Sequence, residues 1–108
     1  MTLGERQRIF THNVALLICH AYALGYQLSF GNTTAPTSLA TSLHPKRLAI
    51  DLNLFKKDSA GRWRYQTASE AHRELGEFWE AIHPENVWGG RWGKKDGNHY
   101  QMGGKRLT

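Results

Sequence analysis

An alternating run between Leu48 and Leu54 constrains the fold more than any other feature of this sequence. Leu48, Ile50, Leu52 and Leu54 fall at every second position, and Asp51 lies between them. Residues two apart share one face of a strand. The pattern therefore predicts a half-buried strand with a leucine face toward the core. Its other face presents the carboxylate of Asp51.

Residue types that bind metals lie before this strand and again near the end of the chain. His44 precedes the strand, and Pro45 favours an extended backbone at that histidine. Asp96 and His99 are three apart in a turn that leads into another predicted strand. Catalytic zinc takes three protein ligands and leaves one position for water. We interpret His44, Asp51 and His99 as zinc ligands, and Asp96 as the base that acts on the water.

Helical periodicity predicts two main helices. The first begins with a capping-box pattern at Thr2–Glu5 and stops at Gly25. The second begins with a similar pattern at Thr67–Glu70 and ends near Pro84. Apolar residues recur at spacings of three and four in both, which is typical of amphipathic helices packed on a core.

Shorter segments complete the predicted organisation. Tyr26–Phe30 and Arg62–Tyr65 alternate as strands do, and the second would return as a hairpin beside the Arg47–Phe55 strand. Residues 31–41 and 87–93 are rich in turn-forming or glycine residues and are expected to be loops. The tail from residue 102 to residue 108 is expected to fray.

Composition limits the class of protein. The 108 residues are expected to form one domain, 1–108, and 40% hydrophobic content favours a folded chain. The longest apolar run, Val14 to Cys19, is far shorter than a membrane span. A single cysteine excludes an internal disulfide, and Cys19 is expected to be a small buried thiol. The net charge of +5 favours polyanionic partners, which include nucleic acid, wall polymers and peptide carboxylates.

At these motifs the chain resembles the zinc peptidases of the D-alanyl-D-alanine carboxypeptidase and dipeptidase family. The closer resemblance is to phage endolysins that act as L-alanyl-D-glutamate peptidases. Their pattern is Ser-x-His, then Asp, then Asp/Glu-x-x-His with an aromatic, and here it reads Ser42-x-His44, Asp51 and Asp96-x-x-His99-Tyr100. The resemblance implies a small α+β domain with an antiparallel sheet that carries the zinc. Two main helices would pack on that sheet, as in hedgehog signalling domains.

The resemblance also implies a function and a setting. The expected reaction is zinc-dependent hydrolysis of the L-alanyl-D-glutamate bond of the peptidoglycan stem peptide, with Asp96 as general base. D-alanyl-D-alanine or another stem-peptide bond is the nearby alternative. The expected protein is a monomer made in the host cytoplasm without a signal peptide. It would act on the wall, in the periplasm, after a companion protein has permeabilised the membrane. Neither nucleic acid nor a membrane span is expected among its partners.

Relatives carry an arginine after the first strand that binds or polarises the substrate, and this sequence has none between residues 31 and 46. Arg47 or Arg91 is therefore expected to take its role, and weak activity is expected. Arg47 shares parity with Asp51, which predicts that it lies on the zinc face. Ser42 and Trp92 are further candidates for substrate contact. Two alternatives stay open: a small basic metal-dependent nuclease or nucleic-acid binder, and a catalytically weak wall-binding relative.

Overall fold

The structure, a computed structural model, describes residues 1–31 and 46–104. These residues form two α-helices on an antiparallel sheet, which confirms the predicted α+β class. The helices are α1 (Leu3–Ala23) and α2 (Arg73–Ile82). The strands are β1 (Gln27–Phe30), β2 (Ala49–Lys57), β3 (Trp63–Tyr65), β4 (Asn86–Trp88) and β5 (His99–Met102). No helix within the described ranges has both the length and the apolar composition to cross a bilayer.

Helix α1 begins at the predicted capping box. The Thr2 hydroxyl accepts a hydrogen bond from the Glu5 amide at 3.1 Å, and the Glu5 carboxylate accepts one from the Thr2 amide at 2.9 Å. Two backbone donors that lack helical partners are thereby satisfied. One stripe of the helix is buried against the sheet and α2, and it comprises Phe10, Val14, Leu17 and Ala21.

Strand β2 is the centre of the sheet. The strand order is β1-β2-β5-β4, and β3 also pairs with β2. The first residues of β2 pair with β5, and its last residues pair with β3. Along β2 and β5 the core side chains alternate with the residues of the other face, as the period of a strand requires. Leu52, Leu54, Tyr100 and Met102 lie on the core face.

Three large aromatic side chains dominate the core: Trp79, Trp88 and Tyr100. The Trp79 indole donates to the Gln101 carbonyl at 3.0 Å, which joins α2 to β5. A Cβ at Gly76 would lie 2.1 Å from the Trp88 ring, so α2 approaches this ring more closely than any larger residue would allow. Helix α2 is therefore fixed against β4 and β5, the strands on either side of the loop that contains Asp96.

The predicted start of the central strand is wrong. Strand β2 begins at Ala49, and Arg47 lies in a turn with a φ of 57°. A left-handed residue breaks the alternation, so Arg47 cannot be assigned to the Asp51 face by parity. The Gln7 side-chain amide donates to the Lys46 carbonyl at 2.8 Å, which anchors this turn to α1.

Other local predictions are also corrected. The second capping box is absent, because Ser69–His72 is a 3-10 turn with Ala68 at its N-cap and no side-chain cap. Residues 86–88 are strand β4 rather than loop, and Met102 is a buried strand residue rather than part of a frayed tail. Cys19 is exposed, not buried. Of the loop predicted at residues 31–41, residues 32–41 lie outside the described ranges.

Candidate metal centre

Asp51 and His99 form a cross-strand pair at the centre of the site. They are register partners in the β2–β5 ladder, and His99 Nδ1 lies 3.1 Å from Asp51 Oδ1. Directly opposed residues of antiparallel strands project from the same face of the sheet. Both neighbours on the core face, Leu52 and Tyr100, point toward the helices. The pair therefore lies on the sheet face opposite the helices.

A tight loop brings Asp96 to the same place. The Asp96 amide donates to the Gly89 carbonyl at 3.0 Å, and the His99 amide donates to the Asp96 carbonyl at 3.1 Å. Asp96 Oδ2 then lies 4.0 Å from His99 Nδ1. One ligand atom from each of Asp51, Asp96 and His99 falls within 4.8 Å of the others.

Gly89 allows the loop to close. A Cβ built on Gly89 would lie 2.4 Å from the Asp96 carbonyl oxygen and 3.1 Å from the His99 Cβ. Real Cβ atoms do not approach a backbone oxygen that closely. The glycine therefore sets how near Asp96 lies to the imidazole.

Gln101 fixes the orientation of the His99 ring. The Gln101 amide group donates to the Gly103 carbonyl at 2.8 Å, so its oxygen faces His99. That oxygen lies 2.7 Å from His99 Nε2. The Nε2 position consequently carries the proton, and Nδ1 faces the two carboxylates. Metal-binding histidines commonly donate their second N–H to a carbonyl or carboxylate in this way.

Electrostatics at His99 favour positive charge. Burial acts to lower the pKa of His99, but the hydrogen bonds with Asp51 and Gln101 and the charges of Asp51 and Asp96 together raise it above 6.5. His99 is only 6% exposed, whereas the Asp96 side chain is 47% exposed. A site that stabilises an imidazolium proton between carboxylates also stabilises a divalent cation there.

The donor set fits zinc. In a tetrahedral site with bonds of about 2.0–2.2 Å, two ligand atoms lie roughly 3.3–3.6 Å apart. The 3.1 Å between Asp51 Oδ1 and His99 Nδ1 is close to that separation. The predicted third ligand, His44, and the predicted substrate contact, Ser42, lie outside the described residues. Their roles, and the division of roles between Asp51, His99 and Asp96, stay predictions.

Trp92 borders the cluster. Its ring centroid lies 4.9 Å from that of His99, with the planes inclined at 45°. The indole N–H is buried and has no hydrogen-bond partner among the described residues. Trp92 thus covers one side of the imidazole, which is compatible with its predicted contact with substrate.

The two candidate arginines occupy different settings. Arg91 Nε donates to Glu80 on α2 at 2.7 Å, and its guanidinium lies 5.8 Å from the Trp88 ring centroid. Arg47 is exposed in the turn before β2. The substrate-binding role of either arginine stays a prediction.

Sequence reasoning missed Gln101 and Gly89. Gln101 lies two residues after His99 on a predicted strand, so shared parity was a signal that it would flank the same ligand. Gly89 left no comparable signal, because its importance comes from the close approach of Asp96, which is seven positions away in the chain.

A small α+β domain that gathers an imidazole and two carboxylates beside a glycine-rich loop has the layout of a metal-dependent hydrolase. Residues 36–102 match the family described as D-alanyl-D-alanine carboxypeptidase, and this range includes the whole cluster. The chain therefore belongs to this family of zinc metallopeptidases, which act on peptidoglycan. No curated protein matches the chain.

Proposed function

We propose that this protein is an endolysin-type zinc peptidase that hydrolyses the L-alanyl-D-glutamate bond of the peptidoglycan stem peptide. The observation that supports the proposal most strongly is the cross-strand pair of Asp51 and His99 with Asp96 beside it. These residues match the order and spacing of the endolysin pattern, and the chain belongs to a family of wall peptidases.

The residues would divide the chemistry as follows. His44, Asp51 and His99 would hold zinc, and the hydrogen bond from His99 to Gln101 holds the ring so that Nδ1 would be available to the ion. Zinc, when bound, polarises the scissile carbonyl and lowers the pKa of its water toward ~7. Asp96 would take the proton of the attacking water and pass it to the leaving amine.

The proposal includes the setting of the reaction. The stem peptide would be the partner, and the protein would act as a monomer on the wall after a companion protein opens the membrane. The net charge of +5 agrees with an anionic wall substrate. The alternative bond, D-alanyl-D-alanine, uses the same residues and differs in the amino acids on either side of the cut.

The test is digestion of purified cell-wall sacculi by the zinc-loaded protein, with and without chelator. Mass spectrometry of the products distinguishes a new D-glutamate amine from released D-alanine. His99→Ala should lose both zinc and cleavage, whereas His12→Ala, at an exposed position on α1, should lose neither. Cleavage that continues in chelator would contradict the proposal.

The same preparation tests the alternatives. Hydrolysis of DNA with no release of wall peptide would favour the nuclease. Binding of zinc-loaded protein to sacculi with no product would favour a silent wall-binding relative.

A further inference from the structure

A polar pocket of about 200 Å³ opens beside Asp96. It lies between the end of strand β3 and the loop that precedes β5. Its lining residues include Tyr65, Gln66, Ser69, Lys95, Asp96 and Asn98. Neither the zinc-binding role of the cluster nor the base role of Asp96 uses this space.

The pocket has a well-defined inner wall. The Gly97 amide donates to the Ser69 hydroxyl at 3.0 Å, and the Gly97 carbonyl accepts from the Trp88 indole at 2.7 Å. A Cβ on Gly97 would lie 2.6 Å from the Ser69 Cα, so the two backbones are in close contact. His72 behind them is 3% exposed, and its Nε2 lies 3.2 Å from the Gln66 carbonyl. The inner wall of the pocket is therefore formed by backbone that is held in place by hydrogen bonds and close packing against the core.

Lys95 gives the pocket its positive charge. Burial lowers the pKa of His72, so this histidine is neutral near pH 7. Among the described lining residues, Lys95 and Asp96 then carry the formal charges. Asp96 is directed toward His99 Nδ1, at 4.0 Å. The ammonium of Lys95 shares the pocket with neutral polar residues, such as Ser69 and Asn98. Such a set suits a carboxylate.

The position of Asp96 identifies which part of the substrate enters the pocket. In the proposed mechanism Asp96 gives a proton to the leaving amine, so this nitrogen must lie within hydrogen-bond reach of Asp96. The substrate residue that bears the nitrogen consequently extends into the space next to Asp96. In a stem peptide that continues through the γ-carboxyl of D-glutamate, the α-carboxylate is attached to the same carbon as that nitrogen. A terminal D-alanine places its carboxylate on the corresponding carbon.

We propose that Lys95 and the pocket beside Asp96 bind the α-carboxylate of the substrate residue on the leaving side of the scissile bond. The pocket would then select wall peptides in which this carboxylate is free over peptides in which it is amidated. This inference rests on the proposed function, because it uses the role of Asp96 toward the leaving amine.

The first experiment compares Lys95→Ala with Lys94→Ala, a matched change at the preceding exposed lysine, which does not line the pocket. Each zinc-loaded variant is assayed on a stem peptide with the free D-glutamate α-carboxylate and on its α-amide. Lys95→Ala should raise KM on the carboxylate substrate about tenfold, as expected for one lost charge-assisted hydrogen bond, and leave kcat near the parent value. On the amide its KM should match the parent's. An equal loss on both substrates, or an equal loss in Lys94→Ala, would overturn the inference.

The second experiment separates this inference from the proposed function. The product-side dipeptide γ-D-glutamyl-L-lysine is titrated into the zinc-loaded parent and variants by calorimetry, again as carboxylate and as amide, and D-alanine serves as the alternative probe. Tighter binding of the carboxylate to the parent and to Lys94→Ala, but not to Lys95→Ala, supports the pocket even if no cleavage is seen. Equal binding by all three proteins overturns it, whether or not the parent cleaves the wall. Absence of cleavage by the zinc-loaded parent refutes only the proposed function.

Discussion

Replacement of Gln101 by leucine should weaken zinc binding without removing any predicted ligand. The Gln101 side-chain oxygen Oε1 accepts from His99 Nε2 at 2.7 Å, and the side-chain Nε2 of Gln101 donates to the Gly103 carbonyl at 2.8 Å, which fixes the orientation of the amide group. Leucine fills a similar volume but offers no acceptor. The buried Nε2–H would then lose its partner, at a cost of about 1–3 kcal/mol. The tautomer with the proton on Nδ1 would also become competitive, and that tautomer cannot bind a metal through Nδ1.

The expected magnitude follows from this cost. Loss of such a supporting hydrogen bond typically lowers metal affinity about 10–100-fold. At about 1.4 kcal/mol per factor of ten, that range corresponds to roughly 1.4–2.8 kcal/mol, which agrees with the penalty of the unpaired N–H.

The assay is competition for zinc between the protein and a chromophoric chelator. The matched control is Gln27→Leu, at an exposed position on β1. The zinc-free proteins are compared by chemical unfolding, so that a general loss of stability is recognised. If Gln101→Leu binds zinc as tightly as the parent while folding normally, Gln101 does not orient the ligand and His99 is not held as described.

Three further perturbations probe other parts of the site. Asp96→Asn should keep zinc but lower kcat on wall peptide by about 10²–10⁴, because the amide cannot accept the proton of water; a parent-like rate would exclude Asp96 as base. Gly89→Ala should lower the free energy of unfolding by about 1–3 kcal/mol, measured in urea, because the added methyl meets the Asp96 backbone; unchanged stability and zinc affinity would show that the loop is not tightly closed. The third concerns pH. Burial holds the pKa of His72 below the value of 6.5 expected in the unfolded chain. As pH falls below 6.5, the unfolded state therefore binds more protons than the folded state, and the free energy of unfolding decreases. Between pH 7.5 and 5.5, the free energy of unfolding of zinc-free His72→Asn, measured by chemical unfolding, should decrease less than that of the zinc-free parent. An identical dependence on pH in the two proteins would refute this.

Local sequence signals predicted the elements of the fold where their physical cause is local. The capping box at Thr2 is satisfied within one turn, and the alternation around Asp51 reports the two faces of one strand. Even so, the same type of capping pattern failed at Thr67–Glu70, where Ala68 is the N-cap and no side chain caps the turn. Within that segment the Ser69 hydroxyl accepts from the amide of Gly97, 28 positions away, and the two backbones are in close contact. No local pattern reports this long-range contact.

The site could be predicted as a set of residue types but not as a geometry. Asp51 and His99 are 48 positions apart, and only the β2–β5 register places them opposite each other. A slip of one residue would move His99 to the core face. That register is reinforced by tertiary packing of Tyr100 and Met102 into the core, which no local pattern around His99 reports.

The structure gives a physical reason to prefer Arg47 over Arg91 as the substitute for the arginine that relatives carry. Arg91 makes a 2.7 Å hydrogen bond with Glu80, and moving it to a substrate would forfeit about 1 kcal/mol, as expected for a partly exposed ion pair. Arg47 is exposed in a turn that is anchored to α1 and lies two residues before the strand that bears Asp51. Its left-handed backbone means that strand alternation does not assign its side chain to the Asp51 face. We therefore expect Arg47→Ala to lower kcat on wall peptide about 10²-fold or more, the loss typical of one group that stabilises a developing oxyanion, with zinc retained. Arg91→Ala should act mainly on stability, and Glu80→Gln should reproduce much of that effect in chemical unfolding. A larger fall in kcat for Arg91→Ala than for Arg47→Ala, with unchanged stability and zinc content, would reverse this assignment.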